Sequence, residues 1–417
     1  MGPLAHIGRR PRVAHTRIPV SPQTLKWARL TAGYTQDAAA KKIGCSVNSY
    51  ERWETGDLEP TVKQLREAAE AFGRSLATLL LPEPPEEPPL PVADFRRVEA
   101  GTQATWSPVL IAATRRALQQ RSTLLDLQDA SPELVNLGQE AFAFGSAATD
   151  EDVGAELRSL LALDDLPVNT WRRGGDALNA AVAAAERTGV IVIQVQRVPL
   201  SEMKGFSIAH FPFPIAALNG ADYPRPKLFT LLHELAHIGL RSGGVCDLHE
   251  ARGSSAPTSG GDRDADRLER RCNAIAAATL MPRNAFLAEQ RAVNGAARGW
   301  PLEDLRSLGD RFGASAEAVL LRLISTDVAN WDLYRARKPE IDAAFEEARA
   351  EDKAKRAARD DPGGPSYYVM RVRDLGHAYV TSVIDAFASD AISSRDVASL
   401  LRVRYDQLDK LRAAAGR

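Results

Sequence analysis

The residues of this chain that point most directly to chemistry are the two histidines and the glutamate of His233-Glu234-Leu235-Ala236-His237. They lie in an apolar run, residues 228–240, with the composition of a buried helix. On a helix, positions four apart share one face, so both imidazoles would point the same way. Such a pair can bind one zinc ion while the glutamate beside it acts as a base. The alternative is a buried helix with two hydrogen-bonded histidines, which leaves the burial of a glutamate without a purpose.

A third metal ligand is predicted on a second helix, residues 266–282, which ends at Pro282. Glu269 lies on or near the apolar face of that helix, which would pack against the first one. Two histidines and one carboxylate leave a fourth position open for water, as in catalytic zinc sites. The same ligand set also fits manganese.

These segments resemble the ImmA/IrrE family of bacterial metallopeptidases. The resemblance covers about residues 92–335 and is strongest in residues 230–240 and in Glu269-x-x-Cys-Asn-x-Ile-Ala-Ala-x-x-Leu-Met-Pro282. Shorter matching pieces are residues 94–96, 205–207, 215–219, 312–315 and 320–323.

The resemblance implies a zincin-like metallopeptidase domain in which His233, His237 and Glu269 bind zinc and Glu234 is the catalytic base. It leaves the group that stabilises the oxyanion open, with His210, Tyr223 and Arg225 as alternatives. Between the two predicted ligand helices, Cys246, Asp247 and His249 could form a second metal site or a cysteine switch. The glycine- and serine-rich sequence around those three residues favours a mobile loop instead.

The N-terminal part of the chain predicts four short helices separated by glycine turns. Thr35 and Ser46 are suitable N-caps, and Gly44 separates the second helix from the third, as in a helix-turn-helix. Residues 22–81, including Arg52-Trp53-Glu54-Thr55-Gly56, resemble the XRE (lambda-repressor-like) family. That resemblance implies that four polar residues face DNA, namely Gln36, Asn48, Ser49 and Arg52. The residues expected in the core are Ala38, Ile43, Val47, Tyr50 and Trp53.

Charge gives the DNA-binding hypothesis only modest support. Residues 21–81 contain eight Lys or Arg and seven Asp or Glu, and residues 1–20 add four arginines and no acid. A monomer with this charge is expected to bind DNA weakly, so a homodimer or a partner would be needed. Contact with another protein is an alternative role for the helix-turn-helix.

The whole chain predicts a mainly α protein with a small sheet (α+β). The expected parts are a basic flexible arm (1–20), an all-α helix-turn-helix domain (21–81), a Pro/Glu linker (82–91), the peptidase domain (92–335) and a helical C-terminal extension (336–417). Residues 190–195 are the clearest strand, with residues 206–209 and 214–219 as its partners. Residues 367–373 are expected to add a strand to the extension.

Three cysteines without a useful spacing make a disulfide framework unlikely, and no apolar run is long enough to span a bilayer, so a cytoplasmic location is expected. Three functions compete. The first is a DNA-binding zinc endopeptidase that cleaves a specific bacterial repressor or antitoxin-like regulator, in a stress, mobile-element or toxin–antitoxin response. The second is a transcriptional regulator or antitoxin whose peptidase domain senses a partner with little turnover. The third is a purely structural reuse of the fold, which the intact motif disfavours.

Overall fold

The computed structural model describes residues 17–86, 93–94, 106–130, 143–145, 148–172, 174–242, 244–246, 260–289, 299–357 and 365–416. The chain divides into two compact units, Met1–Leu90 with Thr102–Arg115 and Pro91–Gly101 with Arg116–Arg417. Residues 1–16 of the predicted basic arm, the linker after Glu86, the pair Asp247 and His249, and residues 358–364 lie outside the described residues.

The first unit contains the predicted bundle of short helices. Three threonine and serine caps accept backbone N–H bonds at their helix starts, at Thr35, Ser46 and Thr61. Gly44 ends the second helix in the left-handed conformation, which glycine adopts without steric cost. The helices are α1 (Pro22–Thr31), α2 (Gln36–Ile43), α3 (Val47–Thr55), α4 (Val62–Phe72) and α5 (Leu76–Leu79).

A buried ion pair joins α1 to the end of α3. The Arg29 guanidinium donates through Nε and Nη2 to the two carboxylate oxygens of Glu54, at 2.7 and 3.0 Å. The same arginine donates through Nη1 to the Tyr34 carbonyl oxygen at 2.8 Å. The pair therefore fixes the orientation of α3 relative to α1, with the two-point geometry that arginine and carboxylate favour.

The predicted core of this unit is right in three positions and wrong in two. Ile43, Tyr50 and Trp53 are buried, whereas Ala38 is exposed and Val47 is 37 % exposed. The helix phase explains both errors. In α2, Ala39 and Ala40 point inward and Ala38 points outward, while Val47 is the first residue of α3 and lies outside the bundle.

The second unit is mainly helical and is built around one sheet, which confirms the predicted α+β class. Residues 174–187 form an Ala-rich helix of this unit. The boundary between the two units lies between Arg115 and Arg116, within the helix Pro108–Ala130. The helices are α6 (Pro108–Ala130), α7 (Asp150–Leu160), α8 (Val168–Arg172), α9 (Gly174–Arg187), α10 (Pro224–Gly239), α11 (Gly260–Leu280), α12 (Arg283–Ala288), α13 (Leu302–Phe312), α14 (Ala316–Ser325), α15 (Trp331–Ala357), α16 (Tyr367–Leu375), α17 (His377–Ala388), α18 (Ser394–Leu401) and α19 (Leu408–Ala414).

The sheet has five strands in the order β1-β5-β3-β4-β2. The three predicted strands are its larger members, and β3 pairs antiparallel with both β4 and β5. The strands are β1 (Ala93–Asp94), β2 (Ile191–Val195), β3 (Gly205–Ile208), β4 (Ile215–Asn219) and β5 (Gly244–Cys246). Because β5 occupies one side of β3 and β4 the other, β3 is an inner strand.

Helix α10 lies at the centre of this unit. From Leu228 to Gly239 all its residues are buried except Phe229, and it packs against α9, α11, β3 and β4. A helix that is apolar on every side is stable only inside a core. The two histidines and the glutamate of this helix are therefore held in a rigid position by the surrounding packing.

The predicted strand at residues 367–373 is wrong, because these residues form the helix α16. The Ser366 hydroxyl accepts a hydrogen bond from the Val369 N–H and caps the helix, and Val372 and Leu375 are buried on its inner face. After α16, Gly376 has a φ of +87° and approaches β2 so closely that a Cβ would lie 2.9 Å from the Val192 carbonyl oxygen. The helices α17 and α18 follow, in agreement with the predicted helical character of the C-terminal extension.

A buried carboxylate holds the start of α17. Glu186, at the end of α9, accepts a hydrogen bond from the Ala378 N–H at 3.1 Å. Burial raises the pKa of Glu186 to about 7, although backbone N–H groups of Ala378, Val192 and His377 act in the opposite direction. The folded protein therefore favours the protonated form of this side chain between the ordinary pKa of 4.5 and about 7.

Glu186→Gln should make the protein more stable at high pH. In that window the folded state binds more protons than the unfolded state, so wild-type stability falls as the pH rises from about 4.5 to 7. Glutamine lacks this titration, and the variant should gain up to about 3 kcal/mol at pH 8 and nothing at pH 4. Denaturant unfolding of both proteins from pH 4 to 8 measures the difference. The matched control is Glu347→Gln on exposed α15, and a gain for Glu186→Gln that does not change with pH would contradict the assignment.

Candidate metal centre and nucleic-acid interface

Helix α10 points two pairs of side chains in different directions. His233 and His237, one turn apart, are fully buried and face Glu269 on α11. Thr230 and Glu234 form a second pair one turn apart, and both lie against Gly205 on β3. The helical spacing thus separates the two imidazoles from the carboxylate that the motif places between them.

The two histidines and Glu269 form a compact donor set. The Nε2 atoms of His233 and His237 lie 3.0 Å apart, and they lie 3.4 and 3.1 Å from the Glu269 carboxylate oxygens. Donor atoms around a tetrahedral zinc ion with bonds of about 2.0–2.1 Å are separated by about 3.3 Å. The three side chains therefore fit one metal ion, and they are the one such group of at least three His, Cys, Asp or Glu side chains within the described residues.

The backbone after α10 orients one of these imidazoles. The Nδ1 atom of His237 lies 3.1 Å from the Ser242 carbonyl oxygen and 3.2 Å from its hydroxyl oxygen. A proton on Nδ1 donated to the carbonyl leaves the Nε2 lone pair directed at Glu269 and His233. Contacts of this kind fix the tautomer of metal-binding histidines. Nothing in the sequence around Ser242 predicts this contact with His237.

The electrostatics of this cluster favour the anionic form of Glu269 and the neutral forms of His233 and Cys272. Burial disfavours the charged form of Glu269, but the contacts of its carboxylate with the imidazoles of His233 and His237 outweigh burial and hold the pKa of that carboxyl well below its ordinary value. Burial lowers the pKa of His233, and burial raises the pKa of the nearby Cys272 thiol well above its ordinary value. Cys272 is thus a neutral core residue beside the cluster.

Glycine at position 205 makes room for Glu234. A Cβ atom there would lie 2.6 Å from the Glu234 Oε1 atom, 2.6 Å from the Thr230 methyl group and 3.1 Å from the Ala217 carbonyl oxygen. Any side chain would push the carboxylate or the strand away. The motif Gly205-Phe206-Ser207 was recognised from sequence, but the reason for its glycine requires the packing of β3 on α10.

Of the three alternatives for oxyanion stabilisation, Tyr223 and Arg225 have other side-chain partners, and the His210 side chain is exposed. Tyr223 and Arg225 are at the start of α10, and eight residues of helix, about 12 Å, separate Arg225 from His233. The Arg225 guanidinium pairs with Asp310, and the Tyr223 hydroxyl donates to Asp352. The His210 side chain is exposed, and its carbonyl oxygen accepts a hydrogen bond from Arg121.

Of the four residues predicted to face DNA, two are exposed on α3, Asn48 and Arg52. Ser49 is half-buried and accepts a hydrogen bond from the Ser46 hydroxyl at 2.8 Å. The Gln36 amide donates to a Glu54 carboxylate oxygen at 2.9 Å, which ties it to the buried ion pair. Asn48 and Arg52 thus have the side chains most available to a ligand.

Within the described residues, no helix is both long and apolar enough to cross a membrane. Residues 186–324 match the family model of the IrrE N-terminal-like domain, a peptidase family, and residues 25–79 match the helix-turn-helix model. Comparison with curated proteins and with solved structures gave no significant match. The two matches agree with the fusion that the motifs predicted, an XRE-type helix-turn-helix followed by an ImmA/IrrE-like metallopeptidase domain.

Proposed function

We propose that the protein is a DNA-binding regulatory zinc endopeptidase that cleaves a specific bacterial regulator, a repressor or antitoxin-like protein, in a stress, mobile-element or toxin–antitoxin response. The observation that carries this proposal is the donor set of His233, His237 and Glu269 beside the buried carboxylate of Glu234. Zinc fits this set, and manganese is the alternative metal. The helix-turn-helix would bring the peptidase to DNA or to a DNA-bound partner.

The proposed mechanism assigns one task to each side chain. His233, His237 and Glu269 would hold the metal, which when bound polarises a peptide carbonyl group and makes water more acidic. Glu234 would accept a proton from the attacking water and deliver it to the nitrogen of the departing amine. The Ser242 carbonyl would keep His237 in the tautomer that the metal requires. Gly205 would let the Glu234 carboxylate remain in place.

The strand order favours activity that depends on a conformational change. Metallopeptidases of this general kind can bind an extended peptide along a strand beside the metal helix, by β-augmentation. Here β5 already pairs with β3, with Cys246 opposite Gly205 and Val245 opposite Phe206. Because the side chains of His233, Glu234 and His237 are fully buried, β5 would have to separate from β3 before a peptide could bind there.

This closed arrangement also supports the second candidate function. A domain whose strand beside the metal cluster is covered could serve as a sensor that binds a partner with little turnover, within a transcriptional regulator or antitoxin. The two functions differ in whether the biological effect requires proton transfer by Glu234.

Glu234→Gln should bind as much metal as the wild type and lose cleavage by a factor of about 10²–10⁴, because glutamine cannot accept the proton. Elemental analysis measures the metal, and N-terminal labelling of cellular proteins after expression reveals new cleavage sites. Glu347→Gln on the exposed face of α15 is the matched control. If the Glu234→Gln protein produces the same new N-termini, or retains the full regulatory effect, the peptidase function is wrong.

Val245→Pro should accelerate cleavage, because proline cannot donate a hydrogen bond in the sheet and disfavours pairing of β5 with β3. Val245→Thr keeps the backbone N–H and is the control. The rate at which cleavage products appear, at equal metal content, is the measurement. A Val245→Pro protein that binds metal and cleaves no faster than Val245→Thr would show that β5 does not limit access.

Arg52→Ala should weaken binding to duplex DNA and reduce the slope of log K against log salt by about one, because one phosphate contact is lost. Fluorescence anisotropy at several salt concentrations gives this slope. The control is Arg66→Ala, which removes an exposed arginine from α4, outside the helix-turn-helix pair. Equal losses for the two variants would favour a nonspecific charge effect, and no loss for either would favour protein contact as the role of this domain.

A further inference from the structure

A cluster of four arginines lies in the second unit, away from the residues of the metal centre in sequence. It consists of Arg116 on α6, Arg197 just after β2, Arg371 on α16, and Arg402 at the end of α18. Four separate segments thus contribute one guanidinium each. We refer to these four residues as the arginine cluster.

Three hydrogen bonds hold these segments together. Gln120, one turn after Arg116, donates to the Leu375 carbonyl oxygen at 2.9 Å. Gln196, the residue before Arg197, donates to Asp374 at 2.8 Å. The Arg371 Nε donates to the carbonyl oxygen of Leu401, the residue before Arg402, at 3.1 Å. These bonds join α6, the end of β2 and the end of α18 to α16, so the four segments that carry the arginines meet at α16.

The positive charge of the arginine cluster is only partly neutralised by nearby carboxylates. Burial, together with the positive charges of Arg402, Arg371 and Arg197, lowers the pKa of Arg116 to about 10. Among the described groups that act most strongly on Arg116, Asp374 is the one carboxylate. Four guanidinium groups beside one carboxylate leave more positive than negative charge around Arg116.

One donor of this cluster has no hydrogen-bond partner among the residues that the structure describes. The Arg116 Nε atom is buried and makes no hydrogen bond within the described part of the chain. Arg197 and Arg402 are exposed, so a ligand can approach from solvent. An orphaned buried donor and unneutralised positive charge are both relieved by one bound anion.

We propose that the arginine cluster is a binding site for a phosphate group, either as inorganic phosphate or as part of a nucleotide. Guanidinium groups match the oxygens of phosphate in geometry and charge. The ligand would join α6, β2, α16 and α18, and so tie the C-terminal helices to the sheet.

Isothermal titration of the full-length protein with inorganic phosphate and, separately, with AMP tests the site. Arg116→Gln and Arg402→Gln should each weaken binding by about tenfold or more, because a charge-assisted hydrogen bond is lost. The control is Arg404→Gln, which removes an exposed guanidinium that pairs with Asp406. That variant should bind like the wild type.

The two probes distinguish the two sources of phosphate. Tighter binding of AMP supports a nucleotide, and equal affinity supports free phosphate. Because Arg402 is exposed, its variant should fold even if Arg116→Gln does not. The proposal is overturned if neither probe binds, if chloride at equal ionic strength abolishes the heat of binding, or if Arg402→Gln binds as well as Arg404→Gln.

Discussion

The structure of the second unit depends on burying two imidazoles and a glutamate in one apolar helix. Burying polar groups is costly unless each has a partner. Around α10 the two imidazoles meet Glu269 across the interface with α11, and Gly205 on β3 leaves room for the Glu234 carboxylate. The elements that surround α10 bury both imidazoles completely, and this burial strengthens their interactions with Glu269. The packing that stabilises α10 therefore also fixes the positions of its two imidazoles and its carboxylate.

The parts of the site that local sequence determines could be predicted. The spacing of His233 and His237 on one helix is a local property, and Glu269 follows from the apolar pattern of the next helix. The roles of Ser242 and Gly205 could not be predicted in this way, because each depends on where another element approaches. Whether the strand beside the metal helix is free or covered is also a tertiary property, since its cover is a segment of only three residues.

The errors in the fold have the same origin. The caps and glycine ends of the helix-turn-helix are local signals, and they predicted its helices correctly. Which face of a short helix is buried depends on its rotation in the bundle, and Ala38 and Val47 are on the outer side. Residues 367–373 contain β-favouring tyrosine and valine, but a serine cap and contacts with β2 stabilise a helix there. Tertiary contacts override weak propensity.

The short connection from α10 to β5 links access with metal affinity. Ser242, whose carbonyl oxygen orients His237, is two residues before the first residue of β5. A movement that frees β3 for a peptide would thus also disturb the tautomer and orientation of His237, one of the proposed metal ligands. By thermodynamic reciprocity, an ion that prefers the ordered His237 must also favour the paired β5 by the same free energy. Scarcity of metal and arrival of a substrate would then push the same strand in the same direction.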